Sequence, residues 1–124
     1  MGSGVAKAIY EKWPAVREFY LACHREGKIG LGCIATMEVE KDILVINGYT
    51  QEYYGYDGKR YADPDAINKV LHLAVHWAKI NNSPIYAPRL GSGLGGLDWE
   101  SEVLPLFKDV ARIYPDVDII ICEL

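Results

Sequence analysis

The chain has 124 residues, half of them hydrophobic and 24% charged, and carries a net charge of −4, which is ordinary globular composition for one domain spanning residues 1–124. The acidic balance argues against a basic nucleic-acid-binding face, while leaving room for a local site that takes a small anion. No apolar run approaches the ~20 residues that cross a bilayer, so neither nucleic acid nor membrane is an expected partner.

The segment from Val5 to Trp13 places Val5, Ile9 and Trp13 on one helical face. Pro14 breaks it, and a second helix runs from about Ala15 to Arg25 with Val16, Phe19, Tyr20 and Cys23 as its apolar stripe. Two β runs follow, Gly30 to Glu38 and Ile43 to Gln51, joined by the polar turn Glu40-Lys41-Asp42 and expected to pair as a hairpin. Ile43 to Ile46 is continuously apolar, which predicts a strand buried on both faces. The tyrosine-dense stretch after it, Tyr49 to Gly58, forms either a cleft wall or ordinary packing.

Asp63-Pro64 marks a helix start, with Asp63 as cap and Pro64 at the first helical position. Ile67, Val70, Leu71, Ala74, Val75 and Ala78 then hold helical spacing to about Ile80. A short strand, Ile85 to Ala87, leads into a loop with four glycines in the six residues 91–96. A helix from Trp99 to Ile113 comes next, directing Val103, Leu106, Phe107 and Val110 inward, and Val117 to Cys122 is a last strand. Strands that alternate with helices in the second half predict an α/β three-layer sandwich, α/β/α, with a mixed, largely parallel sheet.

Glycines without Cβ atoms let a backbone turn sharply and bring its N–H groups close to a ligand. The loop at Leu90-Gly91-Ser92-Gly93-Leu94-Gly95, set between a strand and a helix, is therefore a candidate phosphate or diphosphate site, with the helix dipole behind it. A second glycine stretch, Gly2-Ser3-Gly4-Val5-Ala6, opens directly into the first helix. Neither is a Walker motif, and neither has the full context of a dinucleotide fingerprint. Asp98 is the acid inside the loop region and has two readings, a catalytic carboxylate or a cap on the Trp99 helix. Lys7 is expected in solvent, and His72 and His76 lie four apart without a third metal ligand. The three cysteines, Cys23, Cys33 and Cys122, form no disulfide or metal pattern. They are expected as buried thiols, which fits a cytoplasmic protein, and no cofactor is implied.

Taken together, three segments resemble a macrodomain, and most closely the small branch that processes ADP-ribose 1''-phosphate. They are Met1 to Ile9 with Trp13-Pro14, Tyr49-Thr50-Gln51 through Asp65-Ala66-Ile67, and Pro88 to Leu94 with Asp98-Trp99-Glu100. The resemblance implies that Gly2 to Ala6 wrap the distal ribose and diphosphate, and that Gly91 to Gly95 donate N–H groups from the other side. It places Tyr49 and Gln51 near the ligand and Asp98 where that branch carries an acid for phosphate removal. The implied function is ADP-ribose binding with hydrolysis of ADP-ribose 1''-phosphate. Alternatives are a non-catalytic reader, a de-ADP-ribosylating hydrolase and an inactive remnant. Macrodomains normally begin with strands ahead of the first loop, so an N-terminally short sheet is expected. An edge exposed in that way would invite a homodimer.

Overall fold

A computed structural model describes residues 4–26, 30–50, 62–91 and 96–122. The chain begins with two helices, α1 (Gly4–Lys12) and α2 (Pro14–Arg25), divided by the backbone of Trp13 and Pro14. β1 (Ile34–Glu40) and β2 (Ile43–Gly48) form an antiparallel hairpin in which Ile34 lies opposite Gly48 and Met37 opposite Val45. Its turn, Lys41-Asp42, is closed by Asp42 in the left-handed region at φ 67°, a conformation that Asp tolerates better than most residues.

The first strand begins at Ile34 rather than at the expected Gly30. Gly30 to Gly32 form a turn instead, with Cys33 N–H bonded to Gly30 O and Gly32 at φ 83° under the stem of Lys69. Cys33 is consequently exposed, while Cys23 and Cys122 are half-buried, so the expectation of three buried thiols is corrected.

α3 (Pro64–Asn81) is the axis of the molecule. Asp63 caps its start, accepting hydrogen bonds from the N–H groups of Asp65 and Ala66, which satisfies donors that a helix end otherwise leaves open. Asn82, left-handed at φ 51°, ends it, while the Ser83 N–H bonds back to Ala78 O. One stripe of α3 meets the hairpin, where Gly48 packs so closely on Val70 that any side chain there would collide. The other stripe, with Ile67, Leu71 and Val75, joins Phe107, Val110 and Val117 in the larger core.

β3 (Ile85–Ala87) pairs in parallel with β4 (Ile119–Ile121), and α4 (Leu104–Ile113) covers them together with α3. The helix expected over residues 99–113 is divided: Trp99–Val103 is a π turn, in which Leu104 N–H bonds to Trp99 O. Pro105 supplies the reason, since it has no N–H to donate and its ring crowds the carbonyl four residues back.

Tyr10, Val16 and Val45 form a second core, with Ile9, Trp13, Met37 and Val39 around it, so α1 and α2 cover one face of the hairpin and α3 the other. That is the three-layer α/β/α arrangement. Thr50 O accepts the Asp63 N–H at 2.7 Å, so the end of β2 meets the start of α3. β3 leaves the far end of α3 and returns to place Gly91 beside Ala62 and Ile67. β2, β3 and β4 thus run in one direction, and β1 runs against them. Among the described residues no ladder joins the two strand pairs. Ile43 and Leu44, expected to be buried, are 41% and 38% exposed, and for Leu44 this follows because among the described residues no strand pairs with the edge of β2 that faces β3.

Candidate functional site

Codirectional strands gather their C-terminal ends at one edge, and in open α/β sheets that edge is where ligands bind. Here it brings together Thr50 after β2, the start of α3 at Ala62 and Asp63, and the chain leaving β3 at Pro88 to Gly91. The second loop is tied at its neck by a hydrogen bond from Leu97 N–H to Gly91 O at 2.9 Å. Gly91 at φ 73° and Gly96 at φ 78° provide the reversals on either side, a conformation that other L-residues adopt at a cost.

A Cβ at Gly91 would lie 2.9 Å from Ile67 Cδ1, 3.1 Å from Leu97 Cδ1 and 3.2 Å from Ala62 Cβ. The neck is therefore packed directly on the first turn of α3. Leu90 is half-buried against the same core. Ser92, Gly93, Leu94 and Gly95, held between the two ends of the neck, lie outside the described residues, as do Gly2, Ser3 and Gln51.

Asp98 stands at the foot of this loop, exposed. Its Oδ2 accepts the Ser101 N–H at 2.9 Å and the Ser101 hydroxyl at 2.6 Å, and its own N–H donates to Glu102 Oε2 at 2.7 Å. This is a reciprocal cap of the π turn. The hydrogen bonds from the Ser101 side chain and backbone hold the Asp98 carboxyl below its ordinary value, because they stabilise the charged form.

With Asp98, Glu100 and Glu102 at its start, the Trp99 turn has the N–H groups of Asp98 and Ser101 met by its own carboxylates. An anion gains little from the dipole there. α1 differs: its first turn, Gly4 to Ala6, carries no acidic residue, so no carboxylate of that turn competes for its N–H groups. A hydrogen bond from Tyr10 hydroxyl to Asn47 Oδ1 at 3.4 Å ties α1 to β2. Lys7 is exposed and 4.0 Å from Glu11.

Tyr49 is buried, its hydroxyl donating to Tyr20 O at 2.7 Å and its ring stacked on Tyr20 with centroids 4.6 Å apart. Of the two readings of the first tyrosine in that stretch, the packing one describes its position. Tyr53, Tyr54 and Tyr56 lie outside the described residues. Arg89, which composition and motif reasoning passed over, has its guanidinium 5.6 Å from the centroid of the Trp99 ring. That places a cation at the base of the loop. Its signal was present in the sequence as the only basic residue between Pro84 and Trp99. Among the described residues no three His, Cys, Asp or Glu side chains converge as a metal site.

No family model matches the chain. The DNA ADP-ribosyl glycohydrolase of Mycobacterium tuberculosis is 26% identical over 125 residues, covering 98% of this chain and 34% of the relative. The chain thus spans about a third of the length of the curated relatives it matches. Among solved structures, the macrodomain of Mycobacterium tuberculosis DarG superposes with a TM-score of 0.81 at 25% identity, covering 98% of this chain and 79% of that one. A macrodomain protein from Streptomyces coelicolor gives 0.80 at 26% identity, over 99% and 79%.

Proposed function

Because this chain is a macrodomain, we propose that it binds the ADP-ribose group and hydrolyses the bond that attaches that group to a larger molecule. The observation that carries the reading is the Gly91–Leu97 neck, which closes the two ends of the glycine loop beside the start of α3 at the C-terminal strand edge. A diphosphate needs several N–H donors at close range. The glycine stretch between Gly91 and Leu97 and the start of α1, whose first turn carries no acid, are the two elements suited to supply them, and Arg89 adds a positive charge. The relatives named as DNA ADP-ribosyl glycohydrolases support hydrolysis at the ribose rather than at a phosphate.

A second reading, removal of phosphate from ADP-ribose 1''-phosphate, rests on Asp98, which is ionised, exposed and at the foot of the loop. A carboxylate there would orient the attacking water. The hydrogen bonds from Ser101 weaken it as a base, so the phosphatase reading has less support than the ribosyl one.

Calorimetric titration with ADP-ribose tests the shared premise, with a micromolar dissociation constant expected, about −8 kcal/mol. Incubation with an ADP-ribosylated oligonucleotide, an ADP-ribosylated protein and ADP-ribose 1''-phosphate then separates the activities. Release of free ADP-ribose from either of the first two supports the proposal, whereas release of phosphate alone favours the second reading. Binding without turnover of any substrate leaves a reader module, and absence of binding by the folded chain overturns the whole assignment.

A further inference from the structure

The neck at Gly91 and Leu97 is joined by a side-chain contact as well as by the backbone. The backbone bond runs from Leu97 N–H to Gly91 O at 2.9 Å. Two residues farther out on each leg, the Arg89 guanidinium stands 5.6 Å from the centroid of the Trp99 ring. The pairings of 91 with 97 and of 89 with 99 keep one antiparallel register, in which residues two apart share a face. The neck is therefore a short stem with a backbone rung and a side-chain rung.

Each leg presents its side chain for a local reason. The Leu90 N–H donates to Pro88 O at 2.9 Å, across a single residue, which makes Arg89 the centre of a γ-turn, a bend common at strand ends. Leu90 then packs against the larger core, while Arg89 is exposed. On the other leg, the Asp98 carboxylate and Ser101 fix the start of the π turn. Trp99 is half-buried there, with its ring centroid 5.4 Å from that of the buried Phe107. The indole is thus anchored on α4, and the planar guanidinium, which stacks on aromatic faces, is laid over it from β3. Lys12 over Trp13, by contrast, joins chain neighbours and ties no two segments together.

We propose that Arg89 is a positioning residue for the ADP-ribose site, acting through Trp99. Stacked on that ring, it holds the chain leaving β3 against the start of the π turn and keeps the Leu97–Gly91 bond made. The inference rests on the ADP-ribose reading above and deepens it, since it assigns the arginine to the stem as well as to the local charge. A stem fixed before the ligand arrives leaves less chain to be ordered on binding, and ordering is a cost that subtracts from affinity.

The test follows amide exchange in the chain without ligand and then ADP-ribose affinity by calorimetric titration. Arg89→Met keeps most of the stem and removes the guanidinium, Trp99→Leu removes the ring face, and Trp99→Phe retains one. The Leu97 amide should exchange about two- to fivefold faster in Arg89→Met and in Trp99→Leu. Trp99→Phe should restore most of the protection, and the Ser83 amide, bonded to Ala78 O at the far end of α3, should not change. ADP-ribose affinity should fall by a similar factor in Arg89→Met with an unchanged thermal midpoint, as the side chain is exposed. In a Trp99→Leu background the same substitution should cost little further affinity, because the rung is already lost. Leu97 exchange that is unchanged in Arg89→Met overturns the proposal. So does a full loss of affinity on Arg89→Met in the Trp99→Leu background, since the guanidinium would then touch the ligand directly. A wild-type chain that fails to bind ADP-ribose while Leu97 exchange responds as expected overturns the ADP-ribose reading and supports the rung.

Discussion

Replacement of Gly91 by alanine probes the neck of the loop and the first turn of α3 together. At φ 73° the alanine would sit in a left-handed conformation costing roughly 1–2 kcal/mol. Its methyl group would stand 2.9 Å from Ile67 Cδ1, and Ile67 is wholly buried, so it has no open rotamer to retreat into. Overpacking of this kind costs about 1–3 kcal/mol, and the stiffer unfolded chain returns about 0.4–1 kcal/mol of that. The net expectation is a loss of about 2–4 kcal/mol, a large share of a typical stability of about 5–15 kcal/mol. With a urea slope of about 1–3 kcal/mol per molar, the unfolding midpoint followed by tryptophan fluorescence should fall by roughly 1–2 M. Gly30→Ala is the control: its Cβ meets nothing within 4 Å and its φ lies outside the left-handed region, so it should change stability by less than about 0.5 kcal/mol. Folded Gly91→Ala protein should also bind ADP-ribose about tenfold or more weakly. A Gly91→Ala midpoint equal to that of the wild type would refute the packing argument at the neck.

Asp98→Asn should keep the shape of the cap and lose only the part its charge adds, whereas Asp98→Ala should lower the thermal midpoint further; turnover that collapses in the folded Asn variant would instead mark a chemical role. Since the native carboxyl titrates below its unfolded value, its charge contributes fully above about pH 4 and the contribution disappears as the pH falls through the lowered native value. The stability difference between wild type and Asp98→Asn should accordingly be flat from about pH 5 to 8 and shrink below about pH 4, and a difference that stays constant in acid would contradict the assigned hydrogen bonds. Tyr49→Phe should cost about 0.5–1.5 kcal/mol for the lost bond to Tyr20 O and leave ADP-ribose affinity unchanged in the same calorimetric titration. At the end of α3, Asn82→Ala should destabilise by about 1 kcal/mol and Asn82→Gly by much less, read from urea midpoints.

How much of this was legible in the sequence follows from the range over which each feature is decided. α3 was readable almost to the residue, because Asp63-Pro64 and the spacing from Ile67 to Ala78 act within a few turns. β3 was readable for a similar reason, being held between Pro84 and the glycine loop. The start of β1 was not, since the turn at Gly32 depends on the stem of Lys69 reaching over from α3. Pro105 was plain in the sequence, but its effect is a widened turn rather than a break, and that depends on how Trp99 is anchored against Phe107, with ring centroids 5.4 Å apart. At the site, the glycines announced the loop. What they could not announce was that Asp98 and Glu102 would close the Trp99 turn with their own carboxylates.

The largest departure from expectation lies on β2. Ile43 to Ile46 reads as a strand covered on both faces, and Val45 is covered, because it looks toward Tyr10 and Val16 in the second core. Leu44, its neighbour in the chain, looks the other way, onto α3 and the open space beside β3. Leaving that side chain 38% exposed forfeits burial worth about 25 cal/mol for each Å² of apolar surface. Leu44, Ile46 and Tyr86 also turn their backbone groups away from the strands they pair with, so among the described residues apolar surface and open edge coincide in one place. An exposed leucine by itself is common and means little. Here the exposure belongs to a strand whose edge beside β3 meets no ladder among the described residues, which is why a continuously apolar run and a half-exposed leucine occur together.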